Sequence, residues 1–364
     1  MNCRVAHTFR CLLPYNHPQR DVQGAFSVKV SCWLCKLTGP ACDVEGEIRL
    51  RWVIAEDLWR PLPKWLTEDE EVLYDATLSL DVPRLRSALE HASVLIVRNH
   101  TRCDAELLEH APGLKVIGRL GVGLDNIDLE ACREHSVHVI AARGGNANAV
   151  VEYVLAAMFA HARPLFAFDA YARGGKWERT LARGRELTGC TLGLVGVGDI
   201  GQRLAWRAHA LGMRVVGYDP YLPHHHRLLG DGVLRQESLL QVCREADYLS
   251  LHLPLTPATH HLIGEAELAE IKTNAVLIHT ARGGIVDERA LWVALQTHPA
   301  RRAVLDVREQ EPPSTQDPLQ QLPNVLLTPH VAGITEESSE RVAEFILTET
   351  RRLLSGEFAQ GLVV

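Results

Sequence analysis

The chain has 364 residues, 46% of them hydrophobic and 23% charged, with a formal net charge of −7 and a pI near 6.2. That length and apolar content suffice for two domains with cores of their own, and an acidic balance without a basic stretch leaves no electrostatic footprint for nucleic acid. No run approaches the ~18 apolar residues that a membrane helix needs, and the N-terminus lacks a continuous apolar signal segment. No nucleic acid and no membrane are therefore expected as partners, and the cytoplasm is the default address.

Residues 1–49 show little hydrophobic periodicity and read as a poorly ordered extension. Five of the nine cysteines (Cys3, Cys11, Cys32, Cys35 and Cys42) lie there. Cys32-x-x-Cys35 has only irregularly spaced companions in Cys3, Cys11 and His7, so it is not read as a zinc site and no metal is expected. From Arg51 the pattern becomes regular. Apolar runs at Trp52–Ala55, Val94–Val97, Val116–Ile117 and Val137–Ile140 predict strands, with helices over Val82–Glu90 and Asp104–Glu109. After the break at Gly144-Gly145-Asn146, the residues Val150, Val151, Val154, Leu155, Met158 and Phe159 recur at helical spacing up to Arg163-Pro164. A helix this apolar is expected to cross between domains, to pack on a second subunit or to fill a core.

The next strands are predicted at Leu192–Val195, Val215–Tyr218, Tyr248–Leu251, Val276–His279, Val304–Val307 and Val325–Leu327, with helix-length segments between them. The first two flank Gly196, Gly198 and Gly201, a helix-like Ile200–Leu211 and, at the end of the second, Asp219. Glycines there permit a tight turn and close approach to a pyrophosphate, and the helix N-terminus offers it unpaired N–H groups. Asp219 suits ribose hydroxyls and repels a 2′-phosphate, so the site reads as one for NAD rather than NADP. His224-His225-His226, just beyond, reads as an exposed loop. A last helical pattern, Glu336–Leu354, comes too late to join this second sheet and is expected to return to the first unit.

Three polar residues stand just beyond the last three strands: Arg282, Glu311 and His330. Ligands of open parallel sheets bind at those carboxyl ends. A guanidinium there can grip a carboxylate and the neighbouring carbonyl oxygen, while an imidazole handles the proton that accompanies hydride transfer. A carboxylate bonded to that imidazole favours its cationic form.

The segments Gly121-Val-Gly-Leu-Asp-Asn-Ile-Asp128, Gly196-Val-Gly-Asp-Ile-Gly201, Leu253-Pro-Leu-Thr-Pro257, Thr280-Ala-Arg-Gly-Gly-Ile-Val-Asp287, Leu305-Asp-Val307 with Glu311-Pro-Pro313, and Thr328-Pro-His-Val-Ala-Gly333 together resemble the D-isomer-specific 2-hydroxyacid dehydrogenases. The phosphoglycerate dehydrogenase branch is nearest, and the resemblance covers about residues 51 to 355. It implies an α/β chain of two Rossmann-like doubly wound domains. The substrate domain, 50–147 with 331–364, is discontinuous, and an NAD-binding domain, 148–330, is inserted in it. The implied protein is a homodimer that interconverts a small-molecule D-2-hydroxy acid and its 2-oxo acid.

Carried onto this chain, the resemblance makes Arg282 the substrate-binding residue, His330 the acid/base and Glu311 its partner. Gly196, Gly198, Asp199, Ile200, Gly201, Asp219, Pro220, Leu253, Pro254, Thr256, Thr280, Ala281, Arg282, Asp306, His330 and Gly333 would line the cofactor, with Asp306 meeting the nicotinamide carboxamide. Arg98, Asn99, Val122 and Gly123 would face the substrate carboxylate. Asp125 and Asn126 read instead as a turn and helix cap.

Four positions depart from the family pattern: Arg308 stands for Phe, His279 for Asn or Ser, Asn99 for a small hydroxyl residue and Arg143 for Pro. Arg98 and Arg143 could greet a second anionic group, as in a phosphorylated or sulfonated hydroxy acid such as 3-phosphoglycerate or 3-sulfolactate, although solvated arginines are the commoner outcome. An alternative of another class is an NAD(H)-sensing, corepressor-like interaction protein. A formate-type dehydrogenase is disfavoured, because that branch carries Gln where this chain has Glu311.

Overall fold

The computed structural model describes residues 50–177, 179, 183–222, 233–235 and 238–364, so the expectations for 1–49 and for His224-His225-His226 lie outside the described residues. Two parallel sheets form. The first contains β1 (Arg51–Ile54), β2 (Glu71–Tyr74), β3 (Val94–Val97), β4 (Val116–Arg119) and β5 (His138–Ala141) in the order β2-β1-β3-β4-β5. Helices α1 (Lys64–Asp69), α2 (Val82–Leu89), α3 (Ala105–Glu109) and α4 (Leu129–Glu134) connect its strands. The side chains of Asp81, Asp104 and Asp128 accept backbone N–H groups at the starts of α2, α3 and α4 and fix where those helices begin. All four residues of β3 are buried, as expected of a central parallel strand covered on both faces. The edge strand β2 is only half-buried, so it lacks the apolar run that marks the others and is not foreseen from the sequence.

Two helices follow, α5 (Ala147–Ala162) and α6 (Leu165–Arg173). The predicted stop at Arg163-Pro164 is thus a bend, with Pro164 at the head of a new helix, a position where proline's missing N–H costs nothing. The second sheet holds β6 (Thr191–Val195), β7 (Arg214–Tyr218), β8 (Val233–Arg235), β9 (Tyr248–Leu251), β10 (Val276–His279), β11 (Arg302–Leu305) and β12 (Val325–Leu327). Their order is β12-β11-β10-β9-β6-β7-β8. The chain reverses direction across the sheet between β6 and β9, which creates the crevice where dinucleotides bind in such folds. The three-residue β8 is a further edge strand that the sequence pattern misses, and β11 ends at Leu305 rather than Val307. Helices α7 (Asp199–Ala210), α8 (Leu239–Glu245), α9 (Glu265–Glu270) and α10 (Glu288–Thr297) cover this sheet. Val151, Val154 and Met158 of α5 are buried with Leu204 and Ala208 of α7. That packing accounts for the continuous apolar pattern of α5. Among the described residues no single helix is long and apolar enough to cross a membrane; α5 and α6 pass that test only as a pair, bent by 46°.

The final helix, α11 (Glu336–Leu354), lies on the first sheet, where Val342, Ala343, Ile346 and Leu347 join Ile54, Ile96 and Val116 in one core. Gly118 on β4 makes this contact possible, because a Cβ there would sit 2.6 Å from both Ile346 and Ile96. The last residues then run along β5, with Val363 N donating to Val139 O at 2.8 Å.

Burial also creates a titratable liability at His279, the residue ending β10. Only 3% of it is exposed, and burial pushes its imidazole down to about 4, against smaller upward pulls from the Arg282 backbone and Glu311. The folded protein keeps this ring neutral, whereas the unfolded chain takes up a proton below about pH 6.5, so stability falls as pH drops from about 6.5 to about 4. The full effect is about 3 kcal/mol at its limit. Urea unfolding at pH 7 and pH 5 should therefore show a smaller loss in His279→Asn than in the parent chain; equal losses would rule this out.

Candidate active site

Between the carboxyl ends of the two sheets lies a cavity of about 440 Å³. The first sheet contributes Arg98 and Asn99 after β3, and Arg119 through Asp125 at and after β4; the second contributes His252–Leu255, Thr280–Arg282, Asp306, His330 and Ala332–Ile334.

His330 and Glu311 meet at one wall, with His330 Nδ1 2.8 Å from Glu311 Oε2. Because a carboxylate accepts, Nδ1 carries the proton of this bond and Nε2 is left for a reacting group. Glu311 Oε1 accepts the backbone N–H of Arg308 at 3.0 Å. Burial pushes the Glu311 carboxyl up, but the His330 hydrogen bond and the Arg308 N–H outweigh it and hold the group below the usual carboxylate range.

The backbone of His330 is left-handed, with φ 54°, a conformation that costs a non-glycine residue about 1–3 kcal/mol. Asp306 imposes it. The His330 N–H donates to Asp306 O at 2.8 Å, and the N–H groups of Val331 and Ala332 donate to the two Asp306 carboxylate oxygens, each at 2.8 Å. Thr328 Oγ1 donates to the same carboxylate and is itself bonded to Tyr153 of α5, both at 2.5 Å. Asp306 is 1% exposed. In this structure it clamps the His330 loop, and it also lines the cavity.

Arg282 leaves β10 and reaches across the cavity, its Nε donating to Asp125 Oδ2 at 2.9 Å and its Nη1 to Ala281 O at 2.7 Å. Asp125 and Asn126 do lie in a turn, closed by Ile127 N donating to Leu124 O at 2.9 Å, but the cap of α4 is Asp128, and the Asp125 side chain pairs with Arg282. Asn126 instead donates to Thr101 O at 2.6 Å and ties neighbouring loops. A Cβ at Gly123 would strike the Arg282 guanidinium, so glycine is needed there for the arginine to lie against the backbone.

The glycine turn fits a dinucleotide. Gly196 has φ 87°, and any Cβ there would strike His252 O across the crevice. A Cβ at Gly201 would lie 2.6 Å from Gly196 O, whereas around Gly198, at the head of α7, nothing stands within 4 Å of that position. A crowded turn with an open face at a helix N-terminus is what a pyrophosphate requires. Asp219, at the end of β7, accepts Val197 N at 2.9 Å, which holds its carboxylate beside the turn where a ribose would lie. Asp199 bonds Arg203 at 2.7 Å on the surface of α7. Of the other expected cofactor residues, Ile200, Leu253, Pro254, Thr280, Ala281 and Gly333 line the cavity. Thr256 and Pro220 stand outside it, and Thr256 N is bonded to Thr259 Oγ1 at 2.8 Å.

The substrate side holds more charge than the motifs show. Arg98 stacks on Trp59, with its guanidinium carbon 3.7 Å from the ring centroid, and its Nε donates to Asp57 O at 3.2 Å. The buried Glu56 accepts the N–H groups of Asn99, His100 and Thr101 at 2.9, 3.0 and 2.9 Å and so shapes the loop that carries Asn99. Arg119, at the end of β4, donates to Asn99 Oδ1 at 2.7 Å. Burial pushes Arg119 down to about 10, with Arg282 and Arg98 adding like-charge repulsion. Sequence reasoning missed Arg119, although a charged residue ending an apolar strand immediately before a glycine motif is a usable signal. Arg143 is exposed and outside the cavity, whereas Arg119 lines it.

Residues 155–332 match the family profile described as D-isomer specific 2-hydroxyacid dehydrogenase, NAD binding domain. The chain is 45% identical over 289 residues to an (S)-sulfolactate dehydrogenase of Chromohalobacter salexigens, covering 79% of this chain and 93% of that one. It is 39% identical over 311 residues to a D-3-phosphoglycerate dehydrogenase of Methanocaldococcus jannaschii, covering 85% of this chain and 59% of the longer relative. Among solved structures, a D-lactate dehydrogenase from Aquifex aeolicus complexed with NAD and lactic acid superposes with TM-score 0.73 at 28% identity, covering 84% of this chain and 96% of that one. With a glycine turn shaped for a dinucleotide and a His–Glu pair opposite an arginine, the chain belongs to the D-isomer-specific 2-hydroxyacid dehydrogenases and is an NAD-binding oxidoreductase.

Proposed function

We propose that the protein interconverts a D-2-hydroxy acid carrying a second anionic group, of the phosphorylated or sulfonated kind, and the corresponding 2-oxo acid. The observation that carries this reading is the convergence of three guanidiniums, Arg98, Arg119 and Arg282, on one cavity in which Asp125 pairs only the last of them. Crowded cations of this kind favour a ligand with more than one negative charge. Arg282 grips the carboxylate and the reacting oxygen, helped by the backbone of Val122 and Gly123, while Arg98 and Arg119 meet the second anion. His330 gives its Nε2 proton to the oxygen in reduction and takes it back in oxidation, and Glu311 keeps the ring aimed. When bound, the reduced nicotinamide supplies the hydride that reaches the substrate carbon. The names of the two relatives above specify a sulfonated and a phosphorylated hydroxy acid, which supports the same class here.

NADH oxidation with 3-sulfopyruvate and 3-phosphohydroxypyruvate, against pyruvate, glyoxylate and hydroxypyruvate, tests this. A kcat/KM roughly 100-fold or more in favour of a dianion is expected, equivalent to about 3 kcal/mol from the second anion's contacts. Arg119→Ala should remove most of that preference while retaining slow turnover of the monoanions. Equal turnover of both classes would refute the second-anion assignment.

We also propose a homodimer in the cytoplasm. Helix α6 buries none of its residues; Phe166 is 91% exposed, and Leu165, Trp177 and Trp206 are also exposed. So much apolar surface is what a subunit contact covers. The four described cysteines are free and buried, which suits a reducing compartment. Phe166→Asp should elute later than the parent chain in size-exclusion chromatography, and an unchanged elution volume would count against this interface.

A further inference from the structure

Arg308, one of the departures from the family pattern, is buried, with 6% of its surface exposed. Its guanidinium makes a forked contact with Glu288 at the start of α10, Nε to Oε1 at 2.9 Å and Nη2 to Oε2 at 2.8 Å, and Nη2 also pairs with Asp317. Glu288 Oε1 accepts the N–H of Glu309 as well, at 2.9 Å. The side chain of Arg308 is thus fixed from two separate elements, α10 and the turn that opens at Asp317, and the backbone of residues 308–309 is fixed with it.

That backbone touches both halves of the reacting constellation. The Arg308 N–H donates to Glu311 Oε1 at 3.0 Å while Glu311 Oε2 receives His330 Nδ1, so one carboxylate is held at both oxygens. On the other side a Cβ at Gly283 would strike the Arg308 carbonyl, which places the turn following Arg282 directly against this segment. A side chain locked by two carboxylates therefore sets the position of the one N–H that aims Glu311. A planar, always-charged guanidinium can bridge two acids in fixed geometry in a way that an apolar ring cannot.

We propose that Arg308 is a positioning residue for the Glu311–His330 pair, acting through its own backbone N–H and held in place by Glu288 and Asp317. This rests on the reading of Glu311 and His330 as the proton-handling pair. Arg308 is not among the residues that line the cavity, so its loss should appear in kcat and leave the dissociation constant for NADH unchanged.

The test is a double-mutant cycle with Arg308→Met and Glu311→Gln on the full chain, read as kcat together with NADH affinity. If Arg308 works through Glu311, Arg308→Met alone should lower kcat about tenfold with NADH affinity within about twofold of the parent. In the Glu311→Gln background it should then cost less than about twofold further. Fully multiplicative losses, or an unchanged kcat in a folded Arg308→Met protein, overturn the proposal. Removing the arginine strands two carboxylates, so if that variant does not fold, Glu288→Gln replaces it in the same cycle with the same two outcomes. If Glu311→Gln by itself keeps full kcat, the reading of the pair fails and the positioning role falls with it. That failure is distinct from one in which the Glu311 effect is large and the Arg308 effect independent.

Discussion

Arg282→Ala should lower kcat/KM about 1000-fold, which is roughly 4 kcal/mol of lost transition-state stabilisation. The guanidinium crosses the cavity from the end of β10 and lies against Gly123. The reacting oxygen gains negative charge as hydride arrives, and a fixed cation beside it stabilises that charge more than it stabilises the ground state. The substitution also leaves Asp125 facing the substrate carboxylate without its cation, which adds repulsion to the lost attraction. Arg282→Lys should recover little, because an ammonium cannot bond two oxygens in one plane. NADH binding, followed by fluorescence titration, should stay close to that of the parent chain. Undiminished turnover in Arg282→Ala would show that the substrate binds elsewhere in the cleft.

A comparably large effect is expected for His330→Asn, with kcat reduced by about 1000-fold, within the span that general acid–base catalysis supplies. The substitution keeps a residue tolerant of the left-handed backbone that His330 adopts, so the loop gripped by Asp306 should persist and the loss should report chemistry rather than folding. Glu311→Gln should cost less, roughly 10- to 100-fold, because an amide can still accept from Nδ1 but no longer stabilises an imidazolium. The parent Glu311 is held below the ordinary carboxylate range by the His330 and Arg308 bonds. Its charge is therefore retained as pH falls toward that range and is lost only beneath it. A His330→Asn enzyme with parental kcat would remove the imidazole from the mechanism.

The nucleotide half of the site was legible because its chemistry is local. Gly196, Gly198, Gly201 and Asp219 lie within 24 consecutive residues, and strand, turn, helix and strand follow in the order the phosphate requires. Arg282, Glu311 and His330 were legible for another reason. Each follows an apolar strand, and parallel strands of one sheet deliver their ends to the same edge. What escaped was contact between segments that follow different sheets. Asp125 looked like a cap because turn chemistry was the only partner visible within its own segment, yet it pairs with Arg282, 157 positions away. Arg119 carried no motif of its own, and its meaning depends on Arg98 and Arg282 lying close enough to repel it. The edge strands β2 and β8 escaped because an edge strand need not carry the buried apolar run by which the others were recognised.

The sequence by itself determined the alternation of strands and helices, the dinucleotide turn and the placing of Arg282, Glu311 and His330 beyond strands of one sheet, since periodicity, glycine placement and strand-end chemistry act over short stretches of chain. Only the tertiary structure decided that three guanidiniums share one cavity, that Asp306 holds the His330 loop, and that Arg308 is locked behind Glu311. Those outcomes depend on distances between segments far apart in the chain. Charge repulsion, desolvation and hydrogen-bond saturation take their values only once packing has fixed those distances.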